Sequence, residues 1–284
     1  MKRLLATSLL VVLAALALHA ACTLDVYFID VGAGDAILID CGNWEALLDA
    51  GPGFSSSNSK ILEVLEEHVD DGTIELAILS HPHSDHYGGF RAVFDRYEVG
   101  TFWRSHDTEA DCHGITYDTF MTALAQESSA LSLLEVGDQV SFGLLRWVVL
   151  GPNEIIGGSE NDNENSLVLL ATYGDVHFLF VGDIETIGES ALQDIALPEG
   201  DIILKAAHHG SDTSTSLAFL TWAQPDLAVI STRYSTPPAA SALESLSIPY
   251  MMTSECGTIC VATDGESIWI STDTLSSFDV DCTD

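Results

Sequence analysis

The segment Ser80-His81-Pro82-His83-Ser84-Asp85-His86-Tyr87-Gly88-Gly89 follows directly on the apolar run Ile74 to Leu79. That run reads as a buried strand. Any fold for this chain must therefore end a core strand on a segment crowded with imidazole and carboxylate. Polar groups of that kind are costly to bury without partners. They either face water as a surface loop or converge on a cation. Three imidazoles and a carboxylate, packed this tightly behind a strand, favour the cation. Imidazole with carboxylate suits zinc or a similar first-row metal. His81 and His83 can point the same way from an extended turn. Asp85 and His86 sit one step further on, where a helix can begin. The arrangement can serve two adjacent metals rather than one, and such a pair is suited to clamping an ester or phosphodiester.

Around this segment the chain alternates strands and helices. Leu24–Asp30, Ala36–Asp40 and Trp44–Asp49 read as strands, broken by Gly32-Ala33-Gly34 and by a hairpin turn at Cys41-Gly42-Asn43. Asn58–Val69 has helical periodicity, and Gly89–Tyr97 is expected to be helical after the metal loop. Between Thr101 and Val140 only Tyr117–Gln126 shows a helix; Trp103, His106, Cys112 and His113 lie in loop-like surroundings. Strands return at Trp147–Leu150, Ser166–Thr172, His177–Val181 and Asp201–Ala206, with a helix at Ile184–Leu197. The ending reads helix Ser216–Trp222, strand Leu227–Ser231, helix Ala239–Leu246, then strands Thr258–Ala262 and Ser267–Ile270. This pattern supports a mixed α/β domain.

The first 21 residues read as a signal peptide: Lys2 and Arg3, an apolar stretch from Leu4 to Leu18, then Ala20 and Ala21. Residues 22–284 form one domain in this reading, secreted, periplasmic or extracellular. Cys22 directly after Ala20-Ala21 also allows a lipoprotein anchor. Export makes disulfides plausible among Cys22, Cys41, Cys112, Cys256, Cys260 and Cys282, and Cys256 and Cys260 are close enough in sequence to pair locally.

The formal charge is −34 with nine Lys and Arg, and removal of Lys2 and Arg3 takes it to −36. Phosphate backbones are gathered by clustered Lys and Arg, and here those residues are scattered singly, which argues against tight nucleic-acid binding at low salt but not in brine. So acidic a chain fits adaptation to high salt, where screening shortens repulsion. Calcium binding by Glu160-Asn161-Asp162-Asn163-Glu164 is the alternative, although the spaced ligand set of an EF-hand is missing.

Five further segments occur in order: Phe28-Ile29-Asp30-Val31-Gly32-Ala33-Gly34-Asp35-Ala36, Leu48-Asp49-Ala50-Gly51, Asn165-Ser166-Leu167-Val168, Phe180-Val181-Gly182-Asp183 and Ala207-His208-His209-Gly210-Ser211. With His-x-His-x-Asp-His the series resembles the metallo-β-lactamase superfamily, and within it the hydrolase domain of the ComEC/Rec2 competence family and its free-standing relatives. The resemblance runs from about residue 24 to about residue 270. It implies a four-layer αββα sandwich and a metal-dependent hydrolase. The metal would be zinc, as one or two ions, with manganese as the harder option. It also implies that His81 and His83 hold a first metal, that Asp85 and His86 face a second, and that Asp183 bridges the two. Of His208 and His209, one would ligate and the other would donate to the substrate or protonate a leaving group. The catalytic residues are then Asp85, His208 and His209. The substrate is a small molecule or a phosphodiester, with extracellular DNA as a candidate. The family's transmembrane channel is not expected in this chain. A lactone, carboxylic ester or β-lactam hydrolase on the same fold is the alternative, as is a non-catalytic metal-binding homologue.

By the same resemblance, Asp49 organises the metal loop without ligating. Asp30 and Asp35 either orient imidazoles or serve turn chemistry. Asn165 either contacts substrate or fixes its loop. Lys205 either meets a substrate phosphate or forms a structural ion pair. His68, His106, His113 and His177 are read as structural. The chain departs from the family at Arg233-Tyr234-Ser235-Thr236-Pro237, where Thr236 stands in the place of a His. If that His completes the second metal position, the second position is weakened here.

Overall fold

The computed structural model describes residues 23–105, 114–158 and 161–279. The expected signal peptide, Cys22, His106, Cys112, His113, Glu160 and Cys282 lie outside the described residues.

Among the described residues, sixteen strands form two sheets. The first is ordered β16-β15-β14-β1-β2-β3-β4-β5-β6 and the second β13-β12-β11-β10-β9-β8-β7. In the first sheet, β1 (Leu24–Phe28), β2 (Ala36–Asp40) and β3 (Glu45–Ala50) make an antiparallel meander. From there β4 (Thr73–Leu79), β5 (Glu98–Arg104) and β6 (Ala130–Leu133) continue in parallel. The last strands, β14 (Ile259–Thr263), β15 (Ile268–Thr272) and β16 (Leu275–Asp279), return to the other side of β1. In the second sheet, β7 (Gln139–Phe142), β8 (Leu145–Gly151), β9 (Val168–Tyr173) and β10 (Val176–Phe180) are antiparallel. Beyond them β11 (Asp201–Lys205), β12 (Leu227–Ile230) and β13 (Tyr250–Met252) run parallel to β10.

Side chains alternate across each strand, and that alternation builds the layers. Val26, Phe28, Ile37, Ile39, Leu76 and Ile78 of the first sheet meet Trp147, Leu169, Phe178 and Phe180 of the second. The opposite face of the first sheet, including Leu38, Leu47, Ala77 and Leu79, is covered by helices. These are α1 (Ser55–His68), α2 (Ser84–Tyr87), α3 (Phe90–Phe94) and α4 (Gly114–Leu124), through Ile61, Leu65, Phe90 and Phe120. The outer face of the second sheet, including Val168, Leu170, Leu179 and Leu204, is covered by α5 (Thr186–Leu192), α6 (Leu217–Ala223) and α7 (Pro238–Ser245). A short α8 (Thr253–Cys256) follows β13. Helix, sheet, sheet and helix are thus stacked in the four layers expected.

Several local expectations are corrected. Trp103 is not in a loop: it lies on β5 and packs edge-on against Trp147 at 5.8 Å between the sheets. The helix expected over 184–197 covers only Thr186–Leu192. Cys256 and Cys260 are both free thiols. Cys256 packs against the inter-sheet core, whereas Cys260 alternates onto the other face of β14, in register with Tyr27. Cys41 is disulfide-bonded. The acidic loop also behaves differently from a calcium chelator at Glu164, which is buried. Its carboxylate accepts the backbone N–H groups of Glu185, Ile187 and Gly188 at 3.1, 3.0 and 2.7 Å, capping α5. No helix of the described residues is long and apolar enough to cross a membrane.

The layers leave the carboxyl ends of β3, β4, β10 and β11 at one edge. Asp49 closes β3, Ser80 and His81 follow β4, Asp183 follows β10, and His208 and His209 follow β11. Ligands commonly bind outside the carboxyl ends of parallel strands.

Candidate metal centre

Asp183 is the hub of this edge. Its Oδ2 lies 3.2 Å from His209 Nε2, 3.3 Å from His86 Nε2 and 3.9 Å from His81 Nε2. Gly182 makes the approach possible. It has φ +53°, and a Cβ there would fall 2.8 Å from the Ser166 Cβ. In the space left, Ser166 Oγ accepts the Asp183 backbone N–H at 3.1 Å.

The first sheet supplies the opposing half. Asp49, at φ +57°, accepts from Ser80 twice, from N at 2.8 Å and Oγ at 2.7 Å, and its Oδ2 lies 2.7 Å from His86 Nδ1. His86 is thereby gripped on one nitrogen and presents the other to Asp183. Gly34, at φ +113°, abuts the Asp85 carbonyl so closely that a Cβ has no room. The Gly-rich loop can therefore lie directly against the metal loop, with Asp35 N donating to Asp85 O at 3.3 Å.

Among the described residues, four triads have donor atoms within 4.8 Å of one another: His81–His86–Asp183, Asp85–His86–His209, Asp35–Asp183–His209 and Asp35–Asp49–His86. His83 and His208 belong to none of them. His83 is partly exposed, its ring 4.7 Å from that of His81 and its Nε2 3.9 Å from Asp162 Oδ2. His208 is turned to the rim, its Nδ1 2.9 Å from Glu185 Oε1. The same Glu185 oxygen accepts from Thr213 Oγ1 at 2.9 Å and Asn163 Nδ2 at 3.2 Å. His209, not His208, therefore faces the hub.

The charges of the site are strongly coupled. Burial raises the Asp183 carboxyl, but the charges of His209 and His86 outweigh it and hold it well below the usual range. Burial also opposes protonation of His86 and His209. The carboxylates around them, Asp183 foremost, overcome this and push both imidazoles well above their ordinary value. His81 goes the other way, pushed down by burial and by the neighbouring His86 charge. Asp85 is held low, since His209 and His86 overcome its burial.

The fit to a metal rests on orphaned atoms. His81 Nε2, His209 Nε2 and Asp183 Oδ1 are all buried without a hydrogen-bond partner. Buried polar atoms are ordinarily satisfied, and these point to a common centre. Imidazole nitrogen and carboxylate oxygen are the donors that zinc and manganese take, so the residues present fit such an ion.

Of the remaining expected residues, Asn165 fixes its loop, bonding Ile156 N and O at 2.8 Å each. Asp30 serves a turn: its Oδ1 accepts from Gly32 N at 3.2 Å. Thr236 is exposed on the loop before α7. Lys205 is buried and paired with Asp35 at 2.6 Å, out of reach of a substrate phosphate. Among structural histidines, His177 bridges Thr172 Oγ1 and the Glu199 carbonyl at 3.0 Å each, and His68 packs against Tyr27 at a 34° tilt, ring centroids 4.2 Å apart. Sequence reasoning missed Ser80 and Glu185. Their only local signals are adjacency to His81 and a two-residue offset from Asp183.

A family model described as the metallo-beta-lactamase superfamily matches residues 21–232. The chain is 32% identical over 226 residues to recombination protein 2 of Haemophilus influenzae, covering 77% of this chain and 26% of that protein. It is 25% identical over 256 residues to ComE operon protein 3 of Bacillus subtilis, covering 83% of this chain and 32% of that one. It thus spans about a quarter to a third of the length of these curated relatives. The metallo-beta-lactamase fold protein YhfI of Bacillus subtilis superposes with a TM-score of 0.59 at 11% identity, covering 85% of this chain and 99% of that one; the likeness is one of fold. Matched over most of its length by the family model, and carrying the family's ligand-type residues at one edge of the expected sandwich, the chain belongs to the metallo-beta-lactamase superfamily of metal-dependent hydrolases and is related to the bacterial competence proteins.

Proposed function

We propose that this chain is a metal-dependent phosphodiesterase, exported by its first 21 residues, with extracellular DNA as a substrate. The observation that carries the reading is the convergence of three imidazole Nε2 atoms on Asp183 Oδ2 within 3.9 Å, several of the atoms there lacking any other partner. His81, His86, Asp183, His209 and Asp85 would hold the ion, with His83 beside them. Zinc or manganese at this position supplies Lewis acidity and activates water near neutral pH. The competence proteins among the relatives support a phosphodiester as the substrate.

The chain's own groups divide the remaining work. Asp85 is 37% exposed, so its ionised carboxylate is at hand to accept a proton from water at the mouth. Glu185 accepts from His208 Nδ1–H, so Nε2 is the nitrogen that, with the ring protonated, can donate to a leaving-group oxygen. Asp49 fixes the His86 ring, and Ser166 fixes the backbone of Asp183.

The test is hydrolysis of bis-p-nitrophenyl phosphate in high salt by chelator-treated protein, with zinc or manganese restored, beside Asp183→Asn. Turnover that returns with metal and is lost in the variant is the expected result. Bound metal without turnover overturns the phosphodiester reading and moves the function to a lactone or carboxylic ester, tested on the same samples.

A further inference from the structure

Lys205 is among the largest fully buried side chains, at 1% exposure, in a protein that has only nine Lys and Arg. Its Nζ lies 2.6 Å from Asp35 Oδ2 and donates to the Ala206 carbonyl at 2.8 Å. Asp35 reaches past it to two imidazoles: Oδ1 is 3.5 Å from His209 Nδ1, and Oδ2 is 3.9 Å from His86 Nδ1. These contacts are on the Nδ1 side of both rings. The convergence on Asp183 is on their Nε2 side.

The Nδ1 side has the makings of a cation site of its own. Donor atoms of Asp35, Asp49 and His86, all buried, lie within 4.8 Å of one another. Asp35 Oδ1 is buried without a hydrogen-bond partner. A buried carboxylate needs a compensating charge. The charge that Asp35 meets at 2.6 Å is an ammonium on a four-carbon stem anchored in β11. An ammonium is a compact point charge, and here it takes the place a metal ion would otherwise compete for.

We propose that Lys205 is a built-in cation that fills the position behind the imidazoles, so that Asp35 backs His209 instead of binding metal and metal is confined to the Nε2 side. This rests on the reading of the centre as metal-binding. In this role Lys205 positions and excludes; it touches no substrate. Asp35 then stands behind His209 at 3.5 Å, a looser contact than the 2.7 Å between Asp49 and His86. Without the ammonium, Asp35 is a buried carboxylate left with only the two imidazoles as partners, and with Asp49 close by. It would then recruit an additional divalent ion.

The test counts bound metal. Full-length wild-type protein, Lys205→Met, Asp35→Asn and Asp35→Asn/Lys205→Met are stripped with chelator and titrated with Mn2+ and, separately, Zn2+. Stoichiometry is read by elemental analysis after gel filtration and by calorimetry. The expected result is one additional equivalent in Lys205→Met and the wild-type number in the double variant, where the carboxylate that would take the ion is gone. A folded Lys205→Met with wild-type stoichiometry for both metals overturns the proposal. If Lys205→Met folds only with metal supplied, the extra equivalent in that form supports it. If no metal restores folding while the double variant folds, the ammonium is a structural partner that no ion replaces, and the proposal fails. Wild-type protein that binds neither metal fails the metal-centre reading itself, an outcome separate from any difference between variants.

Discussion

His86 and Asp49 face each other across 2.7 Å, from an imidazole Nδ1 to a carboxylate oxygen, with both side chains buried. The carboxylate sits at the end of β3 in a left-handed backbone conformation and also holds Ser80 by two hydrogen bonds. One residue thus ties the start of the metal loop to its fourth ligand-type side chain. Partners of this kind behind a metal-bound His are typically worth about 10–100-fold in metal affinity. Asp49→Asn should weaken metal binding by about that factor, measured by competition with a chromophoric chelator. Unchanged affinity in the folded variant would show that the grip on His86 does not matter to the metal.

The Glu185–His208 pair predicts a kinetic effect without a metal effect. Glu185→Gln and His208→Ala should each lower kcat on a phosphodiester by about 100-fold or more, the usual range for a proton-donating side chain. Metal stoichiometry should stay at the wild-type value. The loss should be larger for an alkyl leaving group than for p-nitrophenolate, which needs little help to depart. Equal losses on both substrates would assign the pair to positioning the loop.

Glu164 gives a stability prediction. It is buried and accepts three backbone N–H groups at the start of α5. Removing such a cap leaves buried donors unsatisfied, at about 1–3 kcal/mol. Glu164→Ala should lower the denaturation midpoint accordingly in urea melts, and a change within error would mean that water replaces the carboxylate.

Glu45 sets a pH dependence away from the centre. It is 4% exposed, and its backbone N–H donates to Glu75 Oε2 at 2.9 Å. Burial, then the like charge of Glu75, pushes the Glu45 carboxyl from 4.5 up to about 8. The folded state therefore binds a proton that the unfolded state has already lost. The resulting stability is fully present below pH 4.5 and fades as pH rises through about 8. Glu45→Gln should remove this slope, leaving the variant the more stable form above pH 8. Parallel melts between about pH 3.5 and 9 (roughly one unit to either side of the titrating range) would detect it. Parallel curves for the two proteins would mean that the pair is not coupled to folding.

The edge of the fold that carries the site was legible in sequence where chemistry and chain order coincide. His81, Asp85 and His86 lie within six residues behind a strand, and Asp183 and His209 each follow another. How these residues group was not legible. His81 shares a triad with His86 instead of its neighbour His83, because the short helix α2 turns His86 inward while His83, at its start, stays partly exposed. The Lys205–Asp35 and Glu185–His208 contacts join separate loops, so no local pattern announces them. Strands β6 and β7 escaped notice for another reason. β6 and β7 are short, and their side chains are largely exposed or half-buried, which leaves little apolar alternation to read.

The pairing of β1 with both β2 and β14 bears on how such a chain comes to exist at all. Leu24 lies opposite Thr263, across nearly the whole described sequence. During synthesis the first strand must wait, with one edge unpaired, until almost the last has emerged. Contacts so distant in sequence slow folding, and an open strand edge invites pairing with other chains. A delay of that kind is a liability in a crowded cytosol. For a polypeptide threaded across a membrane before it folds, the same delay keeps it in a form that can pass.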